Sequence, residues 1–136
     1  MSADTRAPIA QVEELRLPLP NLTLAGLRAG QGAPLLMLHG WMDNAASFLP
    51  MLPHLSMFDV VALEHAGHGH SEHRPPGHWY HLMDYVADTL AAVDALGWDQ
   101  FYLVGHSLGG AVATLLAAAV PERVRALVSI EGLGPL

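Results

Sequence analysis

The chain is 136 residues long, 51% hydrophobic and only 14% charged, which suits one domain with a buried core and excludes a disordered polypeptide. Its net charge of −7 and six scattered arginines argue against a nucleic-acid or anionic-membrane partner, and the lack of cysteine excludes disulfides and thiolate metal sites. The opening residues carry no apolar segment of signal-peptide type and the longest apolar run, within 108–120, is too short to span a bilayer, so a soluble cytoplasmic protein is expected.

Residues 1–12 are expected to form a flexible N-terminus. Leu15, Leu17 and Leu19 then alternate with Arg16 and Pro18, and Leu22 and Leu24 flank Thr23. With Pro20-Asn21 between the two runs, this predicts an antiparallel hairpin that Gly30-Gln31-Gly32 closes. Leu35–Leu38 is a short unbroken apolar run, as expected of a strand buried on both faces. A short helix is predicted next, with Phe48, Met51, Leu52 and Leu55 on one face, Ser47 as its cap and Pro50 in its first turn; Pro53 should kink or shorten it. Val60–Leu63 reads as another buried strand, followed by a loop rich in Gly, His and Pro from Glu64 to His78. Leu82, Val86, Leu90, Val93 and Leu96 mark the inner face of a helix that Gly97 stops, with Asp84, Asp88 and Asp94 off that face. Phe101–Val104 is a strand, Leu108–Ala119 a helix ended by Pro121, and Val124–Ile130 a last strand. This alternation predicts an α/β fold: a mostly parallel, doubly wound sheet that begins with the antiparallel hairpin.

Gly105-His106-Ser107-Leu108-Gly109 lies between a strand and a helix, which is the strand–turn–helix setting in which G-x-S-x-G makes a serine nucleophilic. The glycines let the chain reverse where a side chain would crowd the strand or the helix. The serine is forced into a strained conformation that lifts its hydroxyl clear of the sheet. Unpaired N–H groups at the start of the helix carry partial positive charge and favour a negative oxygen nearby. Ser107 is thus the candidate nucleophile, and the Leu108 backbone N–H a candidate donor to an oxyanion. A second donor is expected from His39-Gly40-Trp41, where a turn after Gly40 would aim the Trp41 N–H at the same point. A plain tight turn at Gly40, with Trp41 capping the core, is the simpler reading of those residues and is compatible with the first.

His39-Gly40-Trp41, Gly67-His68-Gly69-His70-Ser71 and Gly105-His106-Ser107-Leu108-Gly109-Gly110 together resemble the α/β-hydrolase superfamily. The stretch from His39 to Phe48 and Glu131-Gly132-Leu133-Gly134-Pro135 resemble its serine hydrolase-like group, related to Kraken. The resemblance covers the chain from about Leu15 onward. It implies that 13–136 form the N-terminal part of a single α/β-hydrolase domain, through its sixth strand. It further implies a serine hydrolase that forms an acyl-enzyme at Ser107 on a small-molecule ester, thioester or related acyl substrate, with no cofactor.

In that superfamily the triad runs serine, acid, histidine along the chain. All nine histidines here, from His39 to His106, precede Ser107, so the triad histidine is expected outside these 136 residues. His106 is a poor base, because neighbouring side chains on a tight turn diverge. Glu131 follows the last strand at the edge where open α/β sheets build their sites. A minority of related hydrolases carry the triad acid there and most carry it one strand later. Glu131 is accordingly a candidate acid, a plain contact with solvent or with the loop around Gly132 being the alternative.

His65-x-x-His68-x-His70-x-x-His73 has the ligand density for zinc or nickel, but Gly67 and Gly69 deny it a regular helix with a common face, and no metal is assigned. Asp84 and Asp88 read most simply as a solvated helix face. The alternative to an enzyme is a non-catalytic fragment or interaction module of the same fold. Val124–Ile130 would then be an apolar sheet edge that invites self-association.

Overall fold

In the computed structural model, which describes residues 11–132, the alternating leucines form β1 (Glu13–Pro18) and β2 (Thr23–Ala29). The expected flexible start lies outside the described residues as far as residue 10, as do residues 133–136, which include the last three positions of the terminal motif. β1 and β2 pair antiparallel with Leu17 opposite Leu24, and the Leu19 N–H donates to the Leu22 carbonyl at 3.0 Å to close the turn. β3 (Ala33–Leu38), β4 (Phe58–Leu63), β5 (Phe101–His106) and β6 (Val124–Ile130) run parallel to one another. The sheet order is β1-β2-β4-β3-β5-β6, so the chain steps from β3 to β4 on one side and then crosses back over β3 to reach β5. Such a reversal is the switch point beyond whose strand ends open α/β sheets bind ligands. The register sets Leu38 beside both Leu63 and Gly105, and Gly105 beside Ser129, so these strands end at one level.

Alternate residues of the strands feed two cores. Leu36, Leu38, Val61, Leu63 and Leu103 pack on the face covered by α1 (Leu82–Ala95) and α2 (Leu108–Ala119). Leu35, Met37, Val60 and Ala62 face the other way, under Phe48 and Leu52. Burial on both faces is why these strands read as unbroken apolar runs, and each such side chain contributes about 1.5–3 kcal/mol on leaving water.

The connection between β3 and β4 is a 3-10 helix, Ala45–Leu55, rather than an α-helix. Pro50 and Pro53 lack the N–H an α-helix needs, and their rings clash with the carbonyl four residues earlier. The cap is Asn44 and not Ser47: Asn44 Oδ1 accepts the Ala46 N–H at 2.9 Å, while the Ser47 hydroxyl donates to Asp43 at 2.6 Å. Met51, expected inside, is exposed, whereas Ala45, Phe48 and Leu52 are buried.

Asp88 also departs from the sequence reading, for it does not lie on a solvated face. Its carboxylate accepts from Arg74 Nη2 at 2.6 Å, and both side chains are largely buried. Burial raises the Asp88 pKa, against the pull of Arg74. Asp84 instead reaches back to accept the His81 N–H at 3.0 Å, in a capping box at the start of α1.

At the amino ends of β5 and β6, Arg123 donates to the Trp98 carbonyl at 2.7 Å, the Asp99 carbonyl at 3.0 Å and the Asp94 carboxylate at 2.8 Å. On the face opposite α2, Tyr102 and Val104 are half-buried and Val128, paired with Val104, is 55% exposed. No helix among the described residues is long and apolar enough to cross a membrane.

Candidate active site

β5 ends at His106 and α2 starts at Leu108, so Ser107 turns the chain by itself. It does so at φ 54° and ψ −116°, a left-handed conformation that favours glycine and costs a residue with a side chain about 1–3 kcal/mol. Hydrogen bonds on both sides of the residue hold it there. The Ser107 N–H donates to the Ile130 carbonyl at 3.0 Å, and the Ser107 carbonyl accepts from Gly110 at 2.9 Å and Ala111 at 3.2 Å, which starts α2. α2 can press against the strand ends only because two motif positions lack a side chain. A Cβ on Gly109 would run into the Leu38 and His39 carbonyl oxygens, and one on Gly105 into the Gly109 carbonyl. The Leu108 N–H has no hydrogen-bond partner among the described residues.

Because Leu38 pairs with Gly105, the residues that follow them also meet. A Cβ built on Gly40 would stand 3.3 Å from Ser107 Cβ and 3.4 Å from His106 Nδ1. The structure thus brings Gly40, His106 and Ser107 together, with Trp41 next to Gly40 and 59% exposed. Met42 continues the turn at φ 62° and is 80% exposed.

His39 lies fully buried beneath this turn. Its Nδ1 is 2.7 Å from the Gly40 carbonyl, which can only accept, so Nδ1 carries the proton. Its Nε2 accepts the backbone N–H of His65 at 3.1 Å. His65 Nε2 in turn donates to the His39 carbonyl at 3.1 Å. Burial lowers the pKa of both rings, that of His65 to about 3 with the neighbouring His39 adding to the effect.

Glu131 follows β6 at φ 50°, and its exposed carboxylate lies 3.7 Å from His106 Nε2. The histidine run after β4 is divided: His65 and His68 are buried, whereas His70 and His73 are exposed. Among the described residues no group of three or more His, Asp or Glu side chains is arranged to hold a metal ion. None of the described histidines is hydrogen-bonded to Ser107.

Two buried polar groups beneath this turn, His65 and Glu64, stand out only in the structure. The spacing of the histidine run hides His65, whose place directly after β4 and Glu64 puts it against β3. Glu64 is a buried carboxylate that accepts from the Ala45 N–H at 3.2 Å and the His70 N–H at 3.0 Å, so it ties the 3-10 segment to the loop after β4. A charged residue ending an apolar strand run was the available signal.

Two stability measurements check this geometry. Ser107→Gly relieves the left-handed strain and should raise the unfolding free energy in urea by about 1 kcal/mol, after the entropic cost of glycine is counted. The His65 pKa is lower in the folded chain than its ordinary value of 6.5, so the unfolded chain binds the extra proton in acid. That contribution is complete above about pH 6.5 and is lost as the pH falls toward 3. The melting temperature should therefore drop between about pH 7 and pH 4.5, and His65→Leu should make the drop shallower.

The alpha/beta hydrolase fold family matches residues 33–136. A serine hydrolase-like protein of Danio rerio is 43% identical over 126 residues, covering 89% of this chain and 38% of the relative. A serine hydrolase-like protein of Homo sapiens is 39% identical over 132 residues, covering 95% of this chain and 64% of the relative. This chain thus spans less than two thirds of the length of each. Among solved structures, a hypothetical protein of Pseudomonas aeruginosa PAO1 superposes with a TM-score of 0.88 at 49% identity, over 93% of this chain and 45% of that one. The 2-hydroxy-6-oxo-6-phenylhexa-2,4-dienoate hydrolase of Rhodococcus sp. strain RHA1 superposes with a TM-score of 0.83 at 30% identity, over 91% and 47%. The strained serine between β5 and α2, the sheet order and these matches agree: the chain belongs to the α/β-hydrolase family.

Proposed function

We propose that Ser107 is the nucleophile of a serine hydrolase acting on a small-molecule ester, thioester or related acyl compound. The carrying observation is the left-handed Ser107 held between β5 and α2 beside Gly40. The names of the zebrafish and human relatives support it. In this mechanism Ser107 Oγ attacks the acyl carbon, and the carbonyl electron pair moves onto oxygen. The backbone N–H groups of Trp41 and Leu108 receive that charge; losing one such donor typically costs about 2.7–4 kcal/mol of transition-state stabilisation. The leaving group departs with the proton taken from Ser107, and water then hydrolyses the acyl-enzyme. We assign the base to a later histidine of a full-length domain, since no histidine among the described residues is hydrogen-bonded to Ser107. Glu131, at the same sheet edge, is the candidate acid for orienting it. The chemistry calls for no cofactor.

A fluorophosphonate probe tests this on the protein as its gene encodes it. Labelling should map to Ser107 and vanish in Ser107→Ala. An unlabelled Ser107 in a folded protein would sink the assignment.

A second reading, a non-catalytic interaction module, is favoured by β6. Its Val128 and Ile130 are 55% and 36% exposed, on a strand whose outer edge has no partner among the described residues. Unpaired backbone groups beside apolar side chains template further pairing, so self-association through this edge is the expected behaviour of the 136-residue chain. Light scattering after size exclusion should show species larger than a monomer, and Val128→Lys should shift them toward monomer. A monodisperse, cooperatively melting monomer counts against this reading.

A further inference from the structure

We infer that His65 is a positioning residue for the oxyanion turn: through His39 it fixes the direction of the Gly40–Trp41 peptide. This rests on the hydrolase reading, in which the Trp41 N–H receives the developing charge. The Gly40 carbonyl and the Trp41 N–H belong to one peptide unit, and the described chain contains no cis peptide bond. A trans peptide sends its C=O and N–H in opposite directions. Anchoring the carbonyl on buried His39 therefore sets the N–H, with the Asp43 N–H bonding the same carbonyl at 3.3 Å as a second restraint.

His39 could not do this unaided. An imidazole can rotate about its two side-chain bonds and exchange tautomers, so a single bond to Gly40 would leave its plane loosely set. His65 removes both freedoms. Its backbone N–H donates to His39 Nε2 at 3.1 Å, which requires a lone pair there and so forces the proton onto Nδ1, facing Gly40. Its own ring closes a second bond, Nε2–H to the His39 carbonyl at 3.1 Å, so the two residues are joined twice. The rings meet edge to face at a centroid separation of 4.5 Å, an ordinary aromatic packing contact that adds to the two bonds. Tyr85 of α1 also packs on the His65 ring, at a centroid separation of 5.2 Å, so the helical layer contacts the clamp.

The charge states agree with this arrangement. A proton on His39 Nε2 would face the His65 N–H, donor against donor, and burial disfavours the cation. Both rings stay neutral and each ring bond keeps its sense. A leucine at position 65 would fill the space and keep the backbone bond, but would lose the ring bond to the His39 carbonyl. A glutamine would keep a side-chain N–H donor.

The test compares wild type, His65→Leu and His65→Gln, in the protein as its gene encodes it and well below each melting temperature. The second-order rate of fluorophosphonate labelling at Ser107 should fall roughly tenfold or more in His65→Leu, because a misaimed donor loses much of its value. In His65→Gln the rate should recover to within about threefold of wild type, a rescue that mere loss of packing would not give. A His65→Leu rate within twofold of wild type would overturn the positioning role while leaving the nucleophile assignment intact. No labelling of wild type would overturn both. Should His65→Leu fail to fold, nitrogen NMR of the wild-type imidazoles decides: Nδ1–H on His39 together with Nε2–H on His65 supports the clamp, and any other tautomer pair refutes it.

Discussion

The hydrogen-bond register of the parallel strands is the constraint on which the rest of the molecule depends. Leu63, Leu38, Gly105 and Ser129 stand side by side across β4, β3, β5 and β6. Four segments distant in sequence are thereby delivered to one line along the sheet edge. Glu64 and His65, His39 and Gly40, His106 and Ser107, and Ile130 and Glu131 are simply the next residues on each strand. A shift of one residue in any ladder would turn every side chain of that strand to the opposite face, so the two cores and the site are specified together. The buried apolar side chains that fill both faces hold the register against that shift.

Strain and polarity are then placed where this scaffold can hold them. Ser107 is kept in a conformation it would not choose by bonds to Ile130, Gly110 and Ala111, all within or beside regular elements. The buried polar groups beneath the edge, His39, His65 and Glu64, bond mainly to backbone N–H and C=O groups left over at the strand ends. Buried polar groups of this type are tolerable only when so matched, and once matched they admit few alternative arrangements.

Much of this was legible in the residues. The period-two leucines, the unbroken apolar runs and the strand–glycine–serine–glycine–helix word lead directly to the strands, the layer order and Ser107. Apolar spacing is similar in a 3-10 segment and an ordinary helix, and two prolines decide between them only through missing donors and ring clashes. Asp88 looks solvated on a helical wheel because its partner, Arg74, sits in a loop that periodicity does not describe. His65 stood in a run of similar residues whose spacing suggested one shared role. The fold separates them, because a residue directly continuing a buried strand enters the interior while those on the following loop emerge. Pairings between a strand end and a loop are tertiary facts that local pattern does not encode.

Arg123 leads to a different point. Its guanidinium joins Asp94, Trp98 and Asp99, the exit of one helix, to the entrance of the last strand, at the end of the sheet away from the serine. Changes in groups that share no partner tend to add independently. Substitutions at that lower rim can therefore raise or lower ruggedness while leaving the serine rim untouched, and substitutions at the serine rim can be made without redesigning its support. Sheet polarity, in this sense, separates the inheritance of durability from the inheritance of chemistry.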